Sequence, residues 1–186
     1  MTRKKKKPGD IGAVLHKIND QAALKPWAEY MAGVDPWKKL EIGAEALRSR
    51  WALADQGWHF FTAADPRSAK VHDFDHEHGL IVFNVEKGRA TVEGILKAPL
   101  PAAYEAGGYV QCIATKVRHK GIGKYLLHAA ERVMSEKFTR IYLFVSESNQ
   151  AAQRFYKSAG YQEIARADDC LKAGNTELLL TKALTS

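Results

Sequence analysis

A short stretch between two predicted elements, RHKGIG at residues 118–123, has the composition of an anion-binding turn. It separates a β-rich stretch at 108–115 from a helical pattern over 122–137. Glycine allows a ligand to approach the backbone without a Cβ in the way. The unpaired N–H groups and the dipole at a helix N-terminus attract negative charge. The spacing therefore predicts that a phosphate or pyrophosphate binds where the strand meets the helix.

Two common phosphate-binding motifs do not fit this stretch. A P-loop needs Ser or Thr after its Gly-Lys pair, and Tyr125 follows Gly123 and Lys124 here. A dinucleotide-binding fingerprint needs a third glycine, and Leu126 occupies that position. The pattern that remains is R-x-x-G-x-G over 118–123. Alone it is a weak signal, since two glycines before a helix also form an ordinary turn.

A second motif follows at residues 149–161, NQAAQRFYKSAGY. Its fixed points are Asn149, Ala152, Phe155, Tyr156, Gly160 and Tyr161. The two stretches, in this order and at this separation, resemble the GNAT superfamily of acetyl-CoA-dependent N-acetyltransferases. The likeness covers about residues 79–184, a little over half the chain.

The resemblance implies where acetyl-CoA would bind. Its pyrophosphate would lie on the glycine turn, against Arg118, His119, Lys120, Gly121, Ile122, Gly123 and Lys124. Its pantetheine arm would pair, like an extra strand, with the backbone of Gln111, Cys112 and Ile113. The arm would enter where the strand at 108–115 and the strand at 140–145 splay apart, and Asn149 would hydrogen-bond it from the other side.

The same resemblance gives Tyr156 a catalytic role as well as a place in the cofactor site. Tyr156 stands where the family places its general acid. A phenol with an ordinary pKa of about 10 can protonate a leaving thiolate. The alternative is a tyrosine that only packs its helix onto the sheet. A backbone N–H near Ile113 would polarise the thioester carbonyl.

No general base follows from the sequence. Some relatives carry a glutamate five residues before the asparagine, and Phe144 occupies that position here. The neighbouring carboxylates are Glu93, Glu105 and Glu147, each of which is also expected as an ordinary surface charge. A water chain, or an amine that binds already neutral, would serve as well.

A run of histidines and acids at 72–78, HDFDHEH, contains the residue types of metal ligands. In an extended segment His72, His76 and His78 would share one face. Metal sites usually gather their ligands from separated elements, so we interpret this run as a polar loop or edge and expect no metal. An alternative places it at the mouth of the acceptor pocket.

Hydrophobic patterns and turn residues predict the elements that position these motifs. Strands are predicted at 13–18, 80–86, 90–97, 108–115, 140–145, 161–166 and 176–182, and helices at 20–32, 36–55, 122–137 and 150–159. The strands at 80–86 and 90–97 are expected to form a hairpin. Together with the resemblance, this pattern predicts a GNAT-type α/β (α+β) fold. Its sheet would be mixed and mostly antiparallel, with a parallel splayed central strand pair and helices on both faces.

The four tryptophans all fall in the N-terminal third of the chain, at Trp27, Trp37, Trp51 and Trp58. We interpret them as core residues that pack the N-terminal helices onto the sheet. The alternative is that one or two of them form the wall of a substrate pocket.

Composition limits the function classes. The chain has 186 residues and a formal net charge of +7, and removing the five basic residues at 3–7 leaves +2. The basicity is therefore a tail, and we do not expect nucleic acid as a partner. No apolar run suits a membrane span. Cys112 and Cys170 form no disulfide framework, so a reducing cytoplasm is expected, and Cys112 is interpreted as a core residue.

These observations predict a flexible basic tail at 1–9 and a single domain over 10–186. The mostly helical region at 10–66 and the loop at 98–107 would shape the acceptor side, and 79–184 would bind acetyl-CoA. The predicted reaction moves an acetyl group from acetyl-CoA directly to a primary amine of a small molecule or a protein. The rival hypothesis is a non-catalytic acyl-CoA-binding regulator. The oligomeric state is left open, a homodimer included.

Overall fold

A seven-stranded mixed sheet runs through the protein. The computed structural model describes residues 12–52, 57–68, 70–104, 106–117 and 120–184. The strands are β1 (Val14–Lys17), β2 (Trp58–Ala64), β3 (Glu77–Asn84), β4 (Gly108–Thr115), β5 (Arg140–Ser146), β6 (Gln162–Asp168) and β7 (Thr176–Ala183). The α-helices are α1 (Lys25–Ala32), α2 (Ala44–Trp51), α3 (Gly88–Leu96), α4 (Ile122–Ser135) and α5 (Gln150–Ser158).

The strands lie in the order β1-β2-β3-β4-β5-β7-β6. Neighbouring strands are antiparallel except β4 and β5, which run parallel. Parallel strands cannot be joined by a tight turn, and α4 supplies the crossover between them. The predicted fold class, a mixed and mostly antiparallel sheet with a parallel central pair, is confirmed.

The two faces of the sheet carry different helices. In β3, Ile81 and Phe83 pack with residues of α4 and α5, whereas Leu80 and Val82 pack with residues of α1 and α2. This is the period-two alternation of a strand buried on both faces. α3 covers the second face further along, over β4, β5 and β7.

The helix that follows β4 owes its position to one apolar stripe. Its buried residues are Ile122, Leu126, Leu127, Ala130 and Met134, at the spacing of one helical face. They pack onto β3 and β4. This contact fixes the N-terminus of α4 against the end of β4, where the glycine turn lies.

The predicted strand at 90–97 is wrong, because this segment is α3. Val92, Ile95 and Leu96 share one helical face and pack on the core. The Thr91 hydroxyl donates to the Lys87 carbonyl, as helix residues commonly do. The antiparallel partners of β3 are instead β4 and β2, and the sequence analysis did not predict β2.

The predicted helix at 36–55 begins too early. Residues 35–41 form successive turns, and α2 starts at Ala44. Gly43 precedes it with an extended backbone, at φ −73° and ψ 164°, which interrupts any helix that began at Pro36. The described part of α2 ends at Trp51, and residues 53–56 lie outside the described chain, as does the tail predicted at 1–9.

Candidate active site

The parallel strands β4 and β5 separate after a short paired stretch. Their register joins residues 108–110 to residues 141–143, and it ends at Val110 and Leu143. Both strands continue, β4 to Thr115 and β5 to Ser146. Beyond Val110, the edge of β4 that faces β5 therefore has no strand partner in the part of the chain that the structure describes.

A β-bulge in β4 lies at the point of separation. One step along β3, from Val82 to Phe83, spans two steps along β4, so Gln111 is the extra residue. A bulge bends its strand and increases the local twist, which turns β4 away from β5. The side-chain carbonyl of Gln111 accepts a 3.0 Å hydrogen bond from the Trp51 indole, which ties the bulge to α2.

The glycine turn leaves the N-terminus of α4 open. Gly121 is the N-cap residue with φ 77°, a left-handed conformation that glycine adopts without strain. No side chain of the described residues caps the helix, and its first turn contains no acid. Lys120 and Lys124 lie exposed beside it. Free N–H groups and two nearby cations make this turn favourable for an anion.

Gly123, the second glycine of the turn, has room for a Cβ. A Cβ on Gly123 would meet nothing in the described chain closer than 3.5 Å, the distance to the ring of Phe155. The packing of the protein itself therefore does not require glycine at this position. A ligand that approaches the backbone would require it, so these residues fit a bound pyrophosphate.

Asn149 begins α5 beside the splayed strands. Its side-chain oxygen accepts a 3.2 Å hydrogen bond from the Ala152 N–H, an ordinary N-cap. Helix α5 then places Tyr156 on the buried side, where its ring packs against those of Phe155 and Tyr161. Burial raises the pKa of the Tyr156 phenol, so this hydroxyl keeps its proton at neutral pH.

A cavity of about 460 Å³ opens between the splayed strands and the helices. The residues on its splay side, from β4, β5, α5 and β7, are Tyr109, Gln111, Cys112, Ile113, Phe144, Val145, Ser146, Asn149, Ala152, Tyr156 and Glu177. Those on its outer side, from residues 36–50, β2, α3 and the β6–β7 connection, are Pro36, Trp37, Leu40, Ile42, Leu47, Arg50, Trp58, Thr91, Gly94, Ile95, Lys97, Cys170 and Leu171.

Glu177 is a buried carboxylate in this cavity. It stands on β7 directly opposite Ser146 and is 2% exposed. Asn175 Nδ2 donates a 2.5 Å hydrogen bond to Glu177 Oε1, and Ser146 Oγ donates a 3.0 Å bond to Asn175 Oδ1. Burial raises the pKa of Glu177 to about 7, against the smaller lowering effect of the Asn175 bond.

Cys112 contributes the one thiol on the splay side. Its residue is 9% exposed, and burial raises its pKa to about 12. The thiol therefore stays protonated and behaves as the apolar core group predicted from the sequence.

The profile of the "Acetyltransferase (GNAT) family" matches residues 48–161, more than half of the chain. The chain belongs to the GNAT acetyltransferase family. It is therefore an acyltransferase, as the sequence predicted. Among curated proteins, no sequence matches the chain significantly.

Several solved structures share the fold at low sequence identity. Ard1 from Thermoplasma volcanium superposes with a TM-score of 0.67 at 13% identity, over 94% of this chain and 99% of its own. NAA60 from Arabidopsis thaliana, in complex with acetyl-CoA, gives 0.66 at 14% identity over 94% and 99%. The ribosomal-protein-S18-alanine N-acetyltransferase from Escherichia coli gives 0.63 at 14% identity over 94% and 95%.

The predicted site residues divide into two places in this GNAT fold. Gln111, Cys112, Ile113, Asn149 and Tyr156 line one cavity. The turn residues Lys120, Gly121, Ile122, Gly123 and Lys124 lie together at the start of α4. Arg118 and His119 lie outside the described residues. The assignment of all these residues to acetyl-CoA remains a prediction.

Two of the three carboxylates considered as a base are engaged elsewhere. Glu93 accepts from Arg89 and from the Leu100 N–H, and Glu147 pairs with Arg166. Neither lines the cavity, and Glu105 lies outside the described residues. The sequence analysis missed Glu177, which carried no signal beyond a single acid in a predicted strand.

The histidine run at 72–78 forms a turn and the start of β3. His76 Nδ1 lies 2.9 Å from Asp73 Oδ2, and the segment does not line the cavity. Across the described part of the chain, no group of three or more His, Cys, Asp and Glu side chains could hold a metal ion.

The four tryptophans divide between the core and the cavity. Trp27 and Trp51 are fully buried core residues, whereas Trp37 and Trp58 line the cavity. The loop at 98–107 was predicted to shape the acceptor side of the site, but its described residues do not line the cavity. The outer wall comes instead from α3 and the β6–β7 connection.

No helix within the described ranges combines the length and the apolar character that a bilayer crossing needs.

Proposed function

We propose that this protein transfers an acetyl group from acetyl-CoA directly to a primary amine. The observation that carries the proposal is the separation of β4 from β5, which leaves a strand edge beside a cavity. A pantetheine arm contains amide groups that can pair with such an edge. NAA60, which shares the fold, was solved in complex with acetyl-CoA.

The residues present fit two parts of acetyl-CoA, the pyrophosphate and the pantetheine arm. The open N-terminus of α4, with Lys120 and Lys124, would hold the pyrophosphate. The free edge of β4 at residues 111–113 would hold the pantetheine arm, with Asn149 on its other side. When bound, acetyl-CoA would supply an activated acetyl thioester.

Tyr156 would act as the general acid. Tyr156 lines the cavity, and its hydroxyl keeps its proton because burial raises the pKa of the phenol. It would give that proton to the sulfur that leaves the acetyl group. The Ile113 N–H is our candidate for polarising the acetyl carbonyl.

The outer side of the cavity would receive the acceptor. Its wall contains the aromatic side chains Trp37 and Trp58 and several aliphatic ones from residues 40–47 and α3. Such a wall suits the apolar part of an amine, while the splay side would meet the nitrogen. The acceptor is a small molecule or a protein amine.

A non-catalytic acyl-CoA-binding regulator is the second candidate. Phe144 on β5, where some relatives carry a glutamate, is the observation that favours it. The two functions differ in turnover, since both require acetyl-CoA to bind.

The test begins with binding. Acetyl-CoA that binds only the folded protein must raise the melting temperature, by about 5 to 10 °C at 100 times its Kd. ATP, which has phosphates but no pantetheine arm, serves as the control ligand. Absence of acetyl-CoA binding at millimolar concentration would refute both candidates.

Turnover then separates the candidates. Release of CoA is followed with a thiol reagent over a panel of small amines, polyamines and peptides with free N-termini or lysines. Release that requires both acetyl-CoA and an amine supports the acetyltransferase. Binding without release from any amine favours the regulator.

A further inference from the structure

We propose that Glu177 is the catalytic residue that takes the proton from the acceptor amine. The inference rests on the proposed function and adds the group that the sequence did not provide. The first support is position, since Glu177 lines the same cavity as Tyr156 and Asn149. Among the described residues that line it, Glu177 is the only carboxylate.

The second support is the arrangement of its two oxygens. Asn175 Nδ2 binds Oε1 at 2.5 Å and is itself held by Ser146 Oγ at 3.0 Å. Oε2 accepts no hydrogen bond from the described residues, and it is not among the fully enclosed polar atoms that lack a partner. One oxygen is thus fixed by the protein, and the other is open to the cavity.

The third support is the charge around the carboxylate. Arg50 and Lys97 line the outer side of the same cavity, but neither forms a salt bridge with Glu177 in the described chain. Burial raises the pKa of Tyr109 on β4 and of Cys170 in the β6–β7 connection, and the nearby charge of Glu177 adds to the rise in each. Both groups stay neutral at pH 7, and no cation among the described residues forms an ion pair with Glu177.

A carboxyl group in this setting can exchange a proton near neutral pH. Burial raises the pKa of Glu177 to about 7, where a general base works best at physiological pH. Among the described residues that line the cavity, Glu177 is also the one carboxylate that could accept a proton from a charged ammonium group and balance its charge.

The proposed step accounts for every proton. A primary alkylamine arrives as an ammonium ion, because its pKa is about 10. Glu177 Oε2 takes one proton and leaves the neutral amine, whose nitrogen forms the C–N bond as the C–S bond of the acetyl group breaks. Tyr156 gives its proton to the sulfur, and a second proton from the nitrogen replaces it. CoA leaves as the thiol, and Glu177 returns its proton to water.

The first test compares Glu177→Gln with Glu147→Gln. Both replace a carboxylate by its amide, and Glu147 is about half exposed at 52% and paired with Arg166 outside the cavity. The probe is the primary amine that releases CoA fastest in the panel described above. kcat and the KM values for both substrates are measured from pH 6 to 10.

We expect Glu177→Gln to lower kcat about 100-fold at pH 7 and to leave the KM for acetyl-CoA unchanged. The ratio of wild-type kcat to variant kcat should fall about tenfold for each pH unit toward the pKa of the amine, because more of the amine then arrives neutral. Glu147→Gln should match the wild type at every pH. A deficit that stays constant with pH, or that Glu147→Gln shares, would overturn the proposal.

A second measurement needs no turnover. Protein labelled with ¹³C at the glutamate carboxyl is titrated by NMR, and the Glu177 signal is the one missing from Glu177→Gln. A midpoint between about pH 6 and 8 supports the proposal. A midpoint at the ordinary value of 4.5 overturns it, even if amines are acetylated. If no amine is acetylated, the proposed function fails, and this titration still decides whether Glu177 can serve as a base.

Discussion

Tyr156 and Glu177 are two acids in one cavity, and burial there suits one to donate a proton and the other to accept one. Burial raises the pKa of both groups. For the phenol the rise keeps the hydroxyl protonated at pH 7, so Tyr156 can donate. For the carboxyl the rise ends at about 7, so Glu177 can accept and release a proton. Desolvation in one cavity would thus suit the two groups to the proposed roles of proton donor and proton acceptor.

Replacing Tyr156 by Phe should separate chemistry from binding. We expect kcat to fall about 100-fold, because the leaving sulfur loses its proton donor. The Kd for acetyl-CoA, measured by calorimetry, should stay within about twofold, because the ring and its packing remain. Tyr161→Phe is the matched control, since Tyr161 is a buried neighbour whose hydroxyl binds Glu131 instead. An equal loss in both variants would contradict the assignment.

The sequence could place Tyr156 and Asn149 because both belong to one local motif on one helix. Glu177 could not be placed in the same way. It reaches the cavity only through the register of β7, which sets it opposite Ser146 on β5. Phe144 lies two residues from Ser146 on β5, so the carboxylate sought at that position stands on the neighbouring strand. Long-range register is not visible in a single sequence.

At the scale of elements, the glycine turn and the bulge in β4 act together. The turn orients the N-terminus of α4, and the bulge at Gln111 opens β4 from β5. The hydrogen bond from Trp51 to Gln111 joins this opening to α2, which carries part of the outer wall. The predicted site for the pantetheine arm and the outer wall of the cavity are therefore connected by this hydrogen bond.

Gly123 offers a test of the turn that leaves the fold intact. We expect Gly123→Ala to raise the Kd for acetyl-CoA at least tenfold, because the new methyl group stands where the ligand must approach. The melting temperature should stay the same or rise, since alanine favours a helix over glycine by up to about 1 kcal/mol. Gly33→Ala, at the C-terminus of α1, makes the same change where a Cβ has ordinary contacts.

Gly121→Ala should behave differently from Gly123→Ala. The φ of 77° at Gly121 is costly for alanine, by about 1 to 2 kcal/mol. We therefore expect this variant to lower the melting temperature as well as the affinity. If both glycine variants weaken acetyl-CoA binding only through lost stability, the turn does not contact the ligand.

The sequence predicted elements well where the pattern was local. β4, α4, β5 and α5 carry clear periodicity and clear turn residues, and they were found close to their observed bounds. α3 was mistaken for a strand because its short apolar pattern, Val92 with Ile95 and Leu96, suits either structure. β2 was missed because five of its seven residues are buried, so it lacks the alternation of a half-exposed strand.

For the whole molecule, Glu177 links folding stability to pH. Its pKa rises from 4.5 in the unfolded chain to about 7 in the folded one. The folded protein therefore binds this proton more tightly, and the resulting contribution to the free energy of unfolding is complete below pH 4.5 and is lost as the pH rises through 7. We expect Glu177→Gln and the wild type to have the same melting temperature near pH 4.5. Above pH 7 the variant should be more stable, by at most about 3 kcal/mol.

The measurement is a series of thermal or denaturant unfolding curves from pH 4.5 to 8.5. Glu147→Gln serves as the control, because an exposed carboxylate should give a nearly constant difference from the wild type. A Glu177→Gln difference of the opposite sign at high pH would mean that Glu177 is stabilised in its ionised form.

Cys112 has a further consequence, because it places a sulfur atom beside the expected position of a thioester. Only a thiolate undergoes transthioesterification, and with a pKa of about 12 roughly one Cys112 thiol in 10⁵ is ionised at pH 7. Protein incubated with acetyl-CoA alone should therefore keep its intact mass, whereas self-acylation at Cys112 would contradict this expectation. Burial therefore disfavours acyl transfer to Cys112, in keeping with the proposed direct transfer of the acetyl group to an amine.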